Sequence, residues 1–207
     1  MSVLDTLFRP VLPSLEGEGV VLRMPQSGDY PAWRELRQQS RAFLTPWEPA
    51  WSADELSRRA YQLRLRRYRH EARERTGYTF FLFDAEGRVL QGGVTVGLIR
   101  RGVAQSCTLG YWMGAPFAGT GRMHRAVEAL KHLVFELEGL HRMEAACLPS
   151  NERSIRLLEK AGFRREGYLK NYLKIAGRWE DHYLYSLIVD DWTRSPASAP
   201  ARSASIA

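Results

Sequence analysis

Residues 107–137 constrain the fold more than any other stretch of the chain. An apolar, strand-like run from Cys107 to Met113 meets the breakers Gly114 and Pro116, then Gly119 and Gly121. It passes at once into a segment with apolar residues at Met123, Ala126, Val127, Leu130, Leu133, Val134 and Leu137. That recurrence follows the 3.6-residue period and predicts an amphipathic helix packed on a sheet. Small residues at such a turn let backbone N–H groups approach an oxyanion, and the helix N-terminus adds partial positive charge. No Gly-Lys-Ser/Thr follows, so the turn is not a P-loop. A dinucleotide G-x-G-x-x-G is absent too, because His124 or Arg125 falls where its third glycine belongs. Taken alone, the turn predicts either a phosphate cradle or a tight corner.

The flanking sequence predicts a mixed α/β (α+β) single domain. Val20 to Met24 reads as a short strand, and Asp29 caps a helix running to Ser40. Pro46 and Pro49 predict a loop with exposed aromatic character over Phe43-Leu44-Thr45-Pro46-Trp47-Glu48-Pro49. A long helix over 54–75 follows, with Leu56, Ala60 and Leu63 as its apolar positions. Strands over Tyr78–Phe83 and Val89–Leu98 flank the turn Asp84-Ala85-Glu86-Gly87. A strand over His141–Leu148 precedes a helix opened by Asn151, carried by Ile155, Leu158 and Ala161, and ended by Gly162. Strands over Phe163–Lys170 and Trp179–Val189 close around Ala176-Gly177. Hairpins of this kind argue against a doubly wound sheet and for a mostly antiparallel one flanked by helices. Residues 1–19 read as an N-terminal arm, 20–193 as the domain, and 194–207, rich in Ser, Ala and Pro, as a disordered tail.

Composition narrows the class. With 44% hydrophobic and 26% charged residues, the chain is an ordinary globular one. No apolar run reaches the roughly 18 residues that span a bilayer, and Met1-Ser2-Val3-Leu4-Asp5 lacks a basic leader before an apolar stretch. Cys107 and Cys147 sit in strand-like sequence with no metal-ligand spacing, which predicts two buried thiols in a reducing, cytoplasmic setting. The histidines His70, His124, His132 and His141 are scattered, and no metal is expected. The formal charge is +7. The helix over 54–75 concentrates it, with eight arginines (58, 59, 64, 66, 67, 69, 73 and 75) against four acids. Such a helix predicts a solvated face, or contact with RNA, a ribosome or an acidic partner.

Two blocks about 30 residues apart carry a resemblance. Ala118-Gly119-Thr120-Gly121-Arg122-Met123 and Asn151-Glu152-Arg153-Ser154 together resemble the Q/R-x-x-G-x-G/A turn and N-x-x-S/A helix of the GCN5-related N-acetyltransferase superfamily. Phe43 to Pro49, Leu169-Lys170-Asn171-Tyr172-Leu173 and Gly177-Arg178-Trp179-Glu180-Asp181-His182 look like its ribosomal-protein-alanine N-acetyltransferase branch. The resemblance covers roughly residues 20–193. It implies acetyl-CoA as cosubstrate, with Trp112, Met113, Ala118, Gly119, Thr120, Gly121, Arg122, Met123, Asn151 and Ser154 around it. It also implies direct acetyl transfer from the thioester to an amine, without a covalent enzyme intermediate.

The chain departs from the family pattern at three points. Ala118 stands where Gln or Arg is usual, and Thr120 replaces a common Lys or Arg, so Arg122 or Arg125 would supply the charge. Leu158 stands where many members carry a Tyr that protonates the leaving thiolate. Ser154 is then the expected donor to the sulfur, with Tyr168 and Tyr172 as alternatives. The Met113 N–H, or a neighbour's, is expected to meet the developing oxyanion. Glu48 is expected to hold or deprotonate the incoming ammonium, with Trp47 and Tyr172 contacting the acceptor, whereas Asp181 and His182 fix local structure. A free α-amine, with a pKa of about 7.7–8.0, is about one tenth neutral at pH 7, whereas a lysine is neutral to only a few parts in ten thousand. The strand Cys107–Met113 carries no carboxylate, which tilts the acceptor towards the α-amine of a protein N-terminus, alanine in the resembling branch. A small amine such as an antibiotic, polyamine or amino acid is the alternative acceptor. A non-catalytic acyl-CoA- or RNA-binding relative is a third reading.

Overall fold

The structure, a computed structural model, describes residues 14–193; the first thirteen residues of the expected arm and the expected tail lie outside the described residues. One eight-stranded sheet runs in the order β1-β2-β3-β4-β5-β6-β8-β7. Its strands are β1 Leu15–Gly17, β2 Val20–Arg23, β3 Tyr78–Asp84, β4 Leu90–Arg100, β5 Ser106–Met113, β6 Arg142–Cys147, β7 Arg164–Ile175 and β8 Arg178–Ile188. Every pairing is antiparallel except β5 with β6. Six helices complete the domain: α1 Tyr30–Gln39, α2 Arg41–Leu44, α3 Arg58–Arg73, α4 Arg122–Lys131, α5 Glu152–Lys160 and α6 Val189–Thr193.

Two apolar clusters fix the layers. On one face, Val20, Leu22, Phe80, Leu82, Val94, Val96, Cys107 and Leu109 pack with Met123, Ala126, Val127 and Leu130 of α4 and with Leu158 of α5. On the other, Phe81, Phe83 and Leu90 receive Trp33 and Leu36 of α1 and Tyr61 and Leu65 of α3. β3 is therefore buried on both sides over six consecutive residues.

Four local departures from the expected elements have physical causes. Leu15–Gly17, expected in the arm, forms edge strand β1 against Val20–Leu22. The segment expected to be a loop folds instead as α2 and a 3-10 turn, Thr45–Trp47. Pro46 sits in the first positions of that turn, where its missing N–H has no partner to lose. In α3, Leu63 is 54% exposed, and the buried stripe is Tyr61, Leu65 and Ala72 with Tyr68 packed beside it. Tyr61 and Tyr68, with Leu65 and Ala72, carry that face in place of Leu63.

The fourth departure follows α4. Residues His132–Leu137 form a π turn in which the Glu138 N–H donates to Leu133 O at 2.9 Å. The wider turn breaks the 3.6-residue register, so Phe135 turns inward and Leu137 is left 64% exposed. Both cysteines are buried and unbridged. Burial pushes the Cys107 thiol up to about 12 and the Cys147 thiol up to about 11.

Candidate active site

The site begins where two strands part. β5 pairs with β6 only over Ser106–Thr108, opposite Arg142–Glu144, yet stays paired with β4 as far as Met113. The Gly114 N–H donates to Gln91 O at 2.8 Å. Antiparallel ladders alternate, so the Met113 N–H, one residue earlier, points off the other edge of β5 into the gap. A cavity of about 380 Å³ fills this gap, lined by β5, the Gly-rich turn, α5 and residues 43–48.

Close packing holds the turn in place. A Cβ on Gly114 would lie 2.4 Å from Leu36 Cδ1, so only glycine lets α1 come this near. The buried Ser40 hydroxyl accepts the Ala115 N–H at 2.9 Å, tying the end of α1 to the same corner. Gly119 and Gly121 both have φ +78°, a left-handed conformation that disfavours side chains. Gly121 is the N-cap of α4 and no side chain caps that helix. The N–H groups of Arg122, Met123 and His124, which have no partner within the helix, therefore face the cavity mouth. Arg122, Arg153, Arg156 and Lys160 line the same mouth. Open amides at a helix N-terminus ringed by cations fit a pyrophosphate.

Arg122 lines the cavity, together with Arg156 and Lys160, whereas Arg125 does not; its guanidinium lies near Gly19, behind β1. The Thr120 hydroxyl is spent on Phe117 O at 2.8 Å. Ala118, Met123, Trp112 and Met113 all line the cavity.

At the α5 end, Asn151 is both cap and wall. Its Oδ1 accepts the Ser154 N–H at 3.2 Å, and both residues line the cavity. The Tyr111 phenol lies beside Ser154 on the cavity wall, and burial holds it well above its ordinary value. Leu158 is fully buried and offers the cavity nothing. Tyr111 escaped the sequence reading; the one signal for it was its place two residues before Met113 on an alternating strand, which puts both on the same side of the sheet. The alternative thiolate donors lie elsewhere. The Tyr168 hydroxyl donates to Asp181, and the Tyr172 ring packs edge-on against His182 at 5.8 Å. Neither tyrosine lines the cavity, so Tyr172 is not a wall of this pocket, while Asp181 and His182 serve the hairpin as local ties.

Glu48 is engaged by groups the sequence does not announce. It lines the cavity beside Trp47, but its carboxylate takes both terminal nitrogens of Arg37, at 2.6 and 2.7 Å, and the Trp51 indole N–H at 2.9 Å. Arg37 is only 7% exposed and its guanidinium lies 4.5 Å from the Trp51 ring and 5.0 Å from the Trp112 ring. The Glu48 backbone carbonyl meanwhile accepts the Ala176 N–H at the β7–β8 turn. A carboxylate with three of its roughly four acceptor positions filled and its charge paired is held as an anchor of the acceptor wall. Arg37 itself gave no signal in the sequence, because only the tertiary fold brings it to Glu48.

Residues 20–164 match the model of the acetyltransferase (GNAT) domain. The chain belongs to the GNAT family. Among curated relatives it is 34% identical to the [ribosomal protein uS5]-alanine N-acetyltransferase of Escherichia coli K12, over 86% of this chain and 92% of that protein. Two solved structures share the fold at similar identity. The ribosomal-protein-S5-alanine acetyltransferase of Vibrio fischeri superposes with a TM-score of 0.80 at 33% identity, over 87% of this chain and 98% of that one. Mycobacterium smegmatis RimJ, in complex with CoA-disulfide, superposes with a TM-score of 0.81 at 30% identity, over 89% and 90%. The protein is thus a GNAT N-acetyltransferase using acetyl-CoA. No helix among the described residues is long and apolar enough to cross a membrane.

Proposed function

We propose that this acetyltransferase modifies the N-terminal α-amine of a protein, alanine first, with a ribosomal protein as the acceptor. The observation that carries the reading is the state of Glu48, the one carboxylate lining the cavity, whose two oxygens are taken by Arg37 and Trp51. A pocket without a free carboxylate neither deprotonates a lysine nor attracts a polyamine or aminoglycoside. An α-amine needs little help, since about one tenth of it is already neutral at pH 7. The names of the relatives at 30–34% identity point the same way.

Acetyl-CoA supplies an activated thioester. The chain supplies position and polarity. Backbone amides and cations at the head of α4 hold the phosphates, and the splayed edge of β5 leaves room for the pantetheine arm. The Met113 N–H is aimed where the carbonyl oxygen gains charge, a fixed dipole that needs no reorganisation. The Ser154 hydroxyl, beside the Tyr111 phenol that burial keeps protonated at neutral pH, is the donor within the cavity for the departing sulfur. Phe43, Trp47 and Trp112 wall the acceptor end and suit a small first side chain.

The test is mass spectrometry of paired peptides incubated with enzyme and acetyl-CoA. One peptide has a free N-terminal alanine and internal lysines; the other is N-terminally blocked. Acetyl confined to the free α-amine is expected. Modification of lysine in both peptides would refute the reading. No reaction with either would shift the acceptor to a small amine or leave a non-catalytic binder.

A further inference from the structure

The outward face of α3 plays no part in the acetyl-transfer site. Its inward face is anchored at Tyr61, Leu65, Tyr68 and Ala72, so the helix is held firmly against the domain. Arg59, Arg66 and Arg73 stand seven residues apart on the opposite face, all exposed. At 1.5 Å per residue they lie roughly 10 Å apart along a line of about 21 Å. Among the described residues, no ion pair or hydrogen bond engages any of the three. Two of the nearby acids are taken by other arginines: Glu55 pairs with Arg64, and Glu71 with Arg67. Exposed Arg69 and His70 widen the stripe. A solvated helix face ordinarily interleaves its charges in i,i+4 pairs; this one keeps three guanidinium groups unpaired and in line.

We infer that this stripe docks the phosphodiester backbone of RNA. Its chemistry distinguishes that occupant from an acidic peptide. Guanidinium groups match phosphate oxygens in bidentate geometry, and a backbone of regular charge needs nothing more than a row of cations. A bound peptide needs pockets for anchoring side chains, and the stripe offers only the exposed Leu63. The cavity beside β5 is not lined by Arg59, Arg66 or Arg73. Choosing RNA over DNA rests on the proposed ribosomal acceptor, whose N-terminus would be presented amid RNA.

The test needs no acetylation. Fluorescence anisotropy follows the full chain binding a short labelled RNA duplex as salt rises from about 50 to about 200 mM. The wild-type affinity is expected to fall steeply. The variant R59A/R66A/R73A is expected to lose about two to three from the slope of log affinity against log salt, at roughly 0.9 per phosphate neutralised, while acetyl-CoA affinity stays unchanged. An absence of RNA binding at low salt, or an unchanged slope in the variant, would overturn the inference. A DNA duplex of equal length binding as tightly would overturn the choice of RNA, and a polyglutamate chain competing equally well would favour an acidic protein. Because peptide acetylation is read separately, a failed acceptor assay leaves this result standing, and the reverse holds too.

Discussion

Replacing Glu48 with Gln separates an anchor from a base. In the folded protein the Glu48 and Arg37 side chains are 18% and 9% exposed, so they meet largely out of water. Removing one charge leaves the other desolvated and unpaired, which costs about 3–5 kcal/mol. A domain of this size shifts its melting temperature by about 2–4 °C for each kcal/mol, so Glu48→Gln is expected to melt roughly 10 °C lower. Arg37→Met is expected to do the same. The double variant, with neither charge left behind, should recover part of the loss, giving a coupling of more than about 1 kcal/mol in a double-mutant cycle. Because the pair holds the wall formed by residues 43–51, the KM for the acceptor peptide should rise while acetyl-CoA affinity and kcat stay within a few fold. Differential scanning calorimetry and steady-state kinetics on the four proteins read these outcomes. If Glu48→Gln kept the wild-type melting temperature and lost about 10²–10⁴-fold in kcat, Glu48 would be the general base and the anchor argument would be wrong.

Three other perturbations test the remaining parts. Gly121→Val forces a β-branched residue into a left-handed conformation that costs about 1–3 kcal/mol, and calorimetric titration should show acetyl-CoA affinity down at least about tenfold. Ser154→Ala and Tyr111→Phe are each expected to lower kcat about 10- to 100-fold, the worth of one hydrogen bond to a charged group. Acetyl-CoA affinity should be unchanged, and the two losses should not add in the double variant. Glu138 is 5% exposed at its side chain. Burial alone would raise its carboxyl, but hydrogen bonds from Tyr78, Arg101 and Arg75 outweigh burial and hold it below its ordinary 4.5. Its contribution is therefore complete above about pH 4.5 and lost as pH falls through the lower folded value. Urea midpoints at pH 7 and pH 4 should accordingly differ less in Glu138→Gln than in the wild type.

The segment from β5 to α4 was readable in the sequence because its logic is local: a strand run, two left-handed glycines and an unbroken 3.6-residue stripe. The Asn151 cap and the Gly162 stop were readable for the same reason. What escaped depends on groups distant along the chain. Nothing near Arg37 announces that Glu48, eleven positions away across a proline turn, will seize its guanidinium. Tyr111 reads as one more strand aromatic until α5 brings Ser154 against it. The α3 stripe was misread because Leu56, Ala60 and Leu63 are apolar by type, whereas tyrosine supplies more buried area and its hydroxyl can reach out; that of Tyr61 finds Gln26 O at 2.7 Å. The exposure of Leu137 follows from one wide turn, which no hydrophobic pattern encodes.

The two sealed thiols have a practical consequence. With burial pushing Cys107 up to about 12 and Cys147 up to about 11, only about one thiol in ten thousand, or fewer, is ionised at pH 7, and it is the thiolate that attacks a maleimide. The native chain is thus nearly silent towards such reagents. A single cysteine placed at fully exposed Val103 would carry a dye or spin label without first removing either natural one. Distances from that mark to an RNA, a peptide or a labelled coenzyme could then be followed in the unaltered enzyme core.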